Sequence, residues 1–238
     1  MSYFEIYKKR ANRWGNTYQE RLFNMRAQNF ENQLKSSVYL VDFPYKDRFE
    51  QGEFTRYKQD ETETLHYLLT RHTTFLEPGT ILPFLNARKE TNYWMVMYLE
   101  EQPARGYNKY ILLKLSYTAN WEDTTQAARS SYVYFFTGIS ATLKDTIVSS
   151  GVQSILFEND NSYHIIMPHD NSLEKDSLLE INGKWYRVLG CDDFSTKGIQ
   201  YVTVDPTYRK DTSSTPQKTE NDSAEDFFWL NGGELNGT

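Results

Sequence analysis

Short apolar runs separated by turn residues cover most of the chain, and the clearest of them lie in its C-terminal half. Leu178–Ile181 and Lys184–Leu189 flank Asn182-Gly183. Asn-Gly between two such runs predicts a β-hairpin, because both central residues of a type I′ turn need positive φ. A turn region at Cys191–Gly198 then leads to Ile199–Val204. Together these patterns predict a compact antiparallel meander.

Further runs upstream predict about ten strands in all, at spacings typical of an antiparallel sandwich or barrel. Pro83 within Thr80–Leu85 predicts an edge strand, because proline cannot donate a ladder hydrogen bond. The polar stretch Tyr45–Asp60 predicts an exposed loop, whereas Glu61–Thr74 favours a strand over a helix. The other predicted strands are Ser37–Phe43, Thr91–Leu99, Tyr107–Thr118 (ended by Asn120–Asp123), Ser130–Thr137, Thr142–Ser149 and Val152–Phe157.

The N-terminal residues show helical periodicity instead. Apolar spacing places Trp14 on one face of a first helix, which Gly15 can end. Thr17 and Glu20 have the spacing of a capping box, in which each side chain satisfies an orphan amide of the first turn. A second helix is therefore predicted to run to about Leu34. This helical pair packs either on its own β-domain or, as an arm, on a neighbouring subunit.

After Pro206 the composition shifts to Ser, Thr, Lys and acidic residues, which is typical of a flexible tail. An apolar tetrapeptide inside this tail is typical of a segment that docks into a groove, on another subunit or on its own sheet. The predicted organisation is a helical arm (1–36), a β-rich domain (37–208) and a flexible tail (209–238). The candidate partner-binding residues are the apolar ones of the two appendages: Phe227, Phe228, Trp229, Leu230, Trp14, Tyr18, Leu22 and Met25.

Composition narrows the classes of function. A net charge of −6 makes phosphate-mediated nucleic acid binding unfavourable, because that binding needs a basic face. The aromatic share of 16%, with 18 Tyr, fits either ordinary strands or a Tyr-rich assembly surface. The lone Cys191 cannot form an intramolecular disulfide and is expected to be at least half-buried. No transmembrane run or secretory signal is found, so we expect the protein to be made and kept in a cytoplasm.

Catalytic and metal-binding patterns are weak throughout the sequence. None of the motifs for phosphate loops, dinucleotide sites or nucleophile elbows is present. We therefore expect a binding or structural protein that is not an enzyme and holds no metal or cofactor. The histidines, which lack metal-ligand spacing, are His66, His72, His164 and His169. The carboxylates weighed as a glycosidase pair or an ion site are Glu158, Asp160, Asp192, Asp193, Asp42, Asp47, Glu50 and Asp60.

Several short motifs recur in an order that is similar to a known group of proteins. They are Glu77-Pro78-Gly79, the Trp-centred Tyr93–Val96, the strand ending at Asn120-Trp121, the strand ending at Pro168, Ile181–Val188 and Lys197-Gly198-Ile199. On these motifs, Pro78–Trp121 and Ser162–Pro206 resemble virion proteins from the head-to-tail region of tailed phages. The chain departs from that pattern at Leu115-Ser116-Tyr117, where a Cys-Asn-like element is expected.

The resemblance implies a head-closure, neck or adaptor-type structural protein of the virion. It implies a homo-oligomeric ring between portal and tail, with portal, tail or neck proteins as partners and the genome passing through the channel without sequence-specific binding. It implies no enzymatic activity, no cofactor and no membrane. The alternative is a carbohydrate- or receptor-binding β-module of a phage tail, in which exposed aromatic residues such as Trp94 and Trp185 would stack on sugar rings.

Deletion of Phe227–Leu230 tests the predicted docking role of the tail. We expect the β-domain to keep its thermal unfolding midpoint, because a tethered docking segment adds nothing to the core, while sedimentation shows weaker assembly. Deletion of the four polar residues Gln217–Glu220 shortens the tail equally and is the control. Unfolding of the monomer after the first deletion would instead place the segment in the core.

Overall fold

The computed structural model describes residues 17–57, 63–86, 88–100, 105–137, 163–193 and 196–207, together with Glu5 and Gly15. Within this part the chain is mainly β with an N-terminal helix, which confirms the predicted fold class. The first predicted helix, two predicted strands (Thr142–Ser149 and Val152–Phe157) and the tail from 209 to 238 lie outside the described residues. The elements are α1 (Tyr18–Ser36), β1 (Leu40–Tyr45), β2 (Arg48–Arg56), β3 (Leu65–Arg71), β4 (Ile81–Leu85), β5 (Thr91–Leu99), β6 (Tyr107–Leu115), β7 (Tyr117–Glu122), β8 (Ala128–Thr137), β9 (Tyr163–Pro168), β10 (Leu178–Ile181), β11 (Lys184–Asp192) and β12 (Ile199–Thr207).

The strands form two six-stranded sheets. The first, here called the open sheet, has the order β1-β2-β3-β6-β5-β4. The second is a closed barrel with the order β10-β11-β12-β9-β8-β7, in which β10 pairs with β7 to complete the ring. Every strand pair in the described part is antiparallel. Closure leaves the barrel without a free strand edge, whereas the open sheet keeps two.

The open sheet and the barrel share an apolar core, which we call the junction core. On β5, the four consecutive residues from Trp94 to Met97 are at most 4% exposed, so this strand is buried on both faces. Trp94 and Val96 pack inside the open sheet, while Met95 and Met97 point to the barrel. The junction core consists of Leu65, Met95, Met97, Ile111, Leu113 and Leu115 from the open sheet and Phe136, Ile166, Ile199 and Tyr201 from the barrel.

The open sheet curls until its edge strands β1 and β4 contact each other. Phe43 on β1 and Phe84 on β4 are buried in the same apolar cluster inside the curl. Both edges contain a proline, Pro44 on β1 and Pro83 on β4. Proline removes a backbone donor, which helps to explain why the two edges meet without a hydrogen-bonded ladder. The predicted edge position of the strand that contains Pro83 is confirmed.

The prediction of a loop over Tyr45–Asp60 is wrong, because Arg48–Arg56 forms β2. A tight turn with Lys46 at φ 53° joins β1 to β2. The polar composition misleads because Glu50 and Glu53 are buried through contacts with Arg71 and Gln33, while Gly52 lies close to the Leu68 and Phe43 side chains. The weakly favoured strand in Glu61–Thr74 is confirmed as β3.

The single strand predicted over Tyr107–Thr118 is divided at Ser116. Residues before Ser116 form β6 of the open sheet, and those after it form β7 of the barrel. The predicted break over Asn120–Asp123 is therefore misplaced, since β7 continues to Glu122. Trp121 is buried in the barrel interior and donates its indole N–H to Ser172 Oγ at 3.1 Å. The sequence pattern continues across Ser116 without a break, although the strands before and after Ser116 belong to different sheets.

The predicted hairpin turn and the predicted helix start both have the expected geometry. Asn182 and Gly183 have φ angles of 51° and 74° between β10 and β11, as a type I′ turn requires. Thr17 caps α1 by accepting from the Glu20 amide at 3.1 Å, and the Glu20 carboxylate accepts from the Thr17 amide at 3.3 Å. Both predictions are confirmed.

Helix α1 packs on its own open sheet. Phe30 and Leu34 are buried, and the Phe30 ring stacks on Tyr107 with centroids 4.9 Å apart. Burial of each of these side chains contributes about 2 kcal/mol. Arg71 on β3 also binds the Glu31 carboxylate at 2.7 Å. In the described part, α1 therefore packs on the chain's own β-domain, whereas the first predicted helix lies outside the described residues. Of the described residues, no helix combines the length and the apolar character needed to cross a membrane.

Substitution of Gly79 by Ala tests how tightly two turns of the open sheet and the barrel fit together. A Cβ atom on Gly79 would lie 1.8 Å from the Gly198 carbonyl oxygen. Gly183 is the matched control, because its φ of +74° resembles the +85° of Gly79 while nothing lies within 4 Å of its added Cβ. We expect Gly183→Ala to cost about 1 kcal/mol from backbone strain and Gly79→Ala about 3 kcal/mol more in denaturant unfolding. Equal losses would show that the contact is not tight.

Candidate functional site

A polar cleft of about 650 Å³ lies between the open sheet and the barrel. Its walls come from the start of β5, the end of β6, strands β7 and β8, and the turn between β10 and β11. It exists because the chain leaves the open sheet at Ser116 and enters the barrel one residue later. The lining residues are Thr91, Asn92, Tyr93, Lys114, Leu115, Ser116, Tyr117, Thr118, Asn120, Tyr132, Asn182 and Gly183.

Two stacked tyrosines join the two sides of the cleft. Tyr93 on β5 and Tyr132 on β8 have ring centroids 3.7 Å apart and planes inclined by only 16°. Both rings also pack against the junction core. A hydrogen bond with Tyr93, burial and the nearby Tyr93 charge raise the pKa of Tyr132. Its hydroxyl group therefore stays protonated at neutral pH and remains hydrogen-bonded with Tyr93.

The cleft contains polar groups that the fold itself does not use. Within the described part of the chain, the side chains of Asn92, Lys114, Asn120 and Asn182 have no hydrogen-bond or ion-pair partner. Lys114 is also the only charged residue among the described lining residues. The cleft therefore offers neutral amides and hydroxyls with a single cation, and no carboxylate from the described chain.

A second tyrosine cluster lies beside the junction core. Burial, with nearby Tyr57, Glu100 and Tyr67, raises the pKa of Tyr98 to about 12. Lys109 Nζ lies 3.6 Å from the Tyr67 ring centroid and also binds Glu100. The carboxylate of Glu100 is thus occupied by a cation, and the raised pKa values of Tyr67 and Tyr98 keep both phenols protonated at neutral pH. This arrangement stabilises the boundary of the core and offers no activated nucleophile.

The acidic residues considered as catalytic or ion-binding groups do not converge in the described part. Glu50 pairs with Arg71 at 3.0 Å, and Asp193 lies 4.0 Å from His169 Nδ1. Among the described residues, no group of three or more His, Cys, Asp or Glu side chains is arranged to hold a metal ion. Asp60, Glu158 and Asp160 lie outside the described residues.

The other titratable groups serve the fold. His66 stacks on Phe54 with centroids 4.6 Å apart, and the buried His164 lies 3.4 Å from Thr203 Oγ1. Cys191 is half-buried, as expected, and burial followed by the charge of Asp193 raises the pKa of its thiol to about 12. A thiol with so high a pKa is a poor nucleophile.

The predicted partner-binding residues of α1 are not brought together as one buried stripe. Tyr18 is 78% exposed and Met25 is 45% exposed, while Leu22 is half-buried. The face of the helix that packs on the sheet instead carries Phe30 and Leu34. The remaining predicted residues, Trp14, Phe227, Phe228, Trp229 and Leu230, lie outside the described residues.

An apolar patch that the sequence did not reveal surrounds the first strand of the open sheet; we call it the β1 patch. Val38 is 88% exposed and Phe49 is 75% exposed, and Tyr39 and Leu40 are exposed between them. Phe49 lies opposite Pro44 in the β1–β2 register. The prediction of a loop here concealed the patch, because only strand pairing places Phe49 beside the edge strand.

The aromatic residues suggested for sugar stacking are placed differently from one another. Trp94 is buried inside the open sheet, where it contacts the rings of Phe54 and His66. It therefore cannot stack on a sugar without unfolding. Trp185 is half-buried on β11 and is not part of the cleft lining.

The sequence did not predict the cleft, because the residues that line it come from five separate stretches of the chain.

The pKa of Tyr98 gives a testable dependence of stability on pH. Its folded pKa of about 12 lies above the ordinary value of 10.0, so between these values the unfolded chain loses the phenolic proton before the folded one. The stabilising contribution of the protonated phenol is therefore complete below pH 10 and is lost as the pH rises towards 12. We expect the thermal midpoint of Tyr98→Phe to fall less than that of the wild type across this window. Parallel decreases would show that Tyr98 titrates normally.

Comparisons with known proteins leave the family of this chain open. No protein-family model matches the sequence, and no curated protein matches it either. Among solved structures, it is similar to K. pneumonia MrkH in its apo state, with 8% identity, 79% of this chain and 86% of that chain covered, and a TM-score of 0.22. The K. pneumonia MrkH–c-di-GMP complex gives 8% identity, 78% and 85% coverage, and a TM-score of 0.21. At such TM-scores the similarity carries no argument about fold or function.

Proposed function

We propose that this chain is a structural protein of a tailed-phage virion, located at the head-to-tail connection. It assembles as a ring between portal and tail, and the genome passes through the channel. The motif order described above points to this class of protein. The structural observation that carries the proposal is the β1 patch along β1, an edge strand that is hydrogen-bonded on one side only.

The β1 patch has the properties of an assembly surface. β1 has only one hydrogen-bonded neighbour among the described strands, which is β2. Val38, Tyr39, Leu40 and Phe49 expose apolar side chains around this edge. Exposed apolar groups along an edge strand are a liability in a monomer and are usually covered by a partner. A neighbouring copy of the chain would cover them in a ring.

The close packing between the two sheets also supports a structural role in a ring. The Pro78-Gly79 and Lys197-Gly198 motifs, which belong to the two stretches that carry the resemblance, contact each other directly. The same stretches supply most of the junction core. A ring subunit has to transmit contacts between its neighbours without deforming, and two sheets that share one core meet that need.

The net charge of −6 is compatible with a ring around DNA. Negative surface charge repels the phosphate backbone, so the genome would not adhere to the channel wall. The same electrostatic repulsion also predicts that no stable complex with free duplex DNA forms at physiological salt.

Substitution of Phe49 by Asp tests the β1 patch. We expect the full-length chain to form rings that are visible by negative-stain microscopy, and Phe49→Asp to weaken their association at least tenfold. The reason is that an unpaired carboxylate would be desolvated at the subunit interface. Sedimentation velocity over a range of concentrations measures the change.

Leu178→Asp, at an exposed apolar position of the barrel, is the matched control and should leave association unchanged. Mass spectrometry of purified virions provides a second test, because it shows whether the protein is present in them. The proposal is wrong if the wild-type chain remains monomeric in the presence of portal and tail components and is also absent from virions.

A further inference from the structure

We propose that the cleft between the open sheet and the barrel binds an oligosaccharide. The proposal does not depend on assembly into a virion, because none of the cleft-lining residues belongs to the β1 patch. The cleft volume of about 650 Å³ falls within the roughly 300–1,000 Å³ that small-molecule sites occupy.

The chemistry of the cleft favours a neutral ligand with many hydroxyl groups. Asn92, Asn120 and Asn182 each present an amide that both donates and accepts, and no described protein group uses these amides. The Tyr132 hydroxyl, which is hydrogen-bonded with Tyr93, keeps lone pairs that can accept from a ligand, and the hydroxyl groups of Thr91 and Thr118 add donors and acceptors. Sugar hydroxyls also donate and accept, so they match such a mixed set better than a purely cationic or purely apolar ligand does.

Two other ligand classes fit the cleft less well. A nucleotide or other phosphate ester needs several cations or a helix N-terminus, whereas the described lining residues provide Lys114 alone and no helix. A peptide that binds by strand addition needs a free strand edge. Strands β5, β6, β7 and β8 each already pair with two neighbours, so none of them offers an edge to the cleft.

The cleft is formed before any ligand binds. The Tyr93–Tyr132 stack fixes β5 against β8, and Leu115 anchors the end of β6 in the junction core. A tight type I′ turn holds Asn182 in place. A site that is already ordered loses little conformational entropy on binding, which allows a small polar ligand to be held.

Titration of the full-length chain with defined trisaccharides tests the proposal. The probes are the neutral trisaccharides cellotriose, maltotriose and N-acetylchitotriose, measured by saturation-transfer NMR and calorimetry, with ADP as the phosphate-bearing comparison. We expect at least one trisaccharide to bind and ADP not to bind. Tyr132→Phe and Asn120→Ala should each weaken that binding about five- to tenfold, through the loss of one hydrogen bond.

Tyr107→Phe and Asn171→Ala remove the same groups outside the cleft and should leave the affinity unchanged. Tyr132→Phe keeps the aromatic ring, so its thermal midpoint shows whether the cleft is still folded. The proposal is overturned if no trisaccharide binds, if ADP binds more tightly than all of them, or if the cleft variants bind as well as the two controls.

Discussion

The fold depends on one core that two sheets share. Four strands, β5, β6, β9 and β12, each contain at least four consecutive buried residues, so their apolar residues are consecutive rather than alternating. Consecutive apolar residues in a strand have to be covered on both faces. The inner faces are covered within the open sheet and within the barrel, and the outer faces cover each other. Neither sheet could be removed without exposing one face of the other.

Several charged residues of the described part hold elements of the fold together. Arg71 connects Glu31 of α1 to Glu50 of β2, which attaches the helix to the open sheet. Asp123 accepts from Thr125, Ala127 and Arg129 in the turn between β7 and β8, and the Thr125 hydroxyl followed by the Ala127 amide lowers the pKa of Asp123 to about 2. These charged groups are therefore occupied by structural contacts.

Local signals in the sequence were sufficient where the structure is decided locally. Asn182-Gly183 specifies a hairpin turn, Thr17 and Glu20 specify the start of a helix, and Pro83 indicates an edge strand. Each of these effects depends only on the residues themselves and their near neighbours in the chain. The strand at Arg48–Arg56 was missed because its stability comes from pairing with β1 and β3, which composition does not record. The cleft could not be foreseen either, since it is produced by the change of sheet at Ser116 and by the packing of residues that are far apart in sequence.

The high tyrosine content fits this architecture better than either explanation available from composition alone. Tyr67, Tyr93, Tyr98 and Tyr132 are half-buried and all pack at the boundary of the junction core. A phenylalanine there would leave an apolar edge in contact with water, and a serine would leave a cavity in the core. Tyrosine suits both the apolar core and its polar surroundings, because its ring fills the core and its hydroxyl group remains in a polar environment. Burial raises the pKa of Tyr98, and hydrogen bonding with Tyr93 raises that of Tyr132. Tyr98 and Tyr132 therefore stay neutral, and the boundary between two sheets can also serve as the wall of a binding cleft.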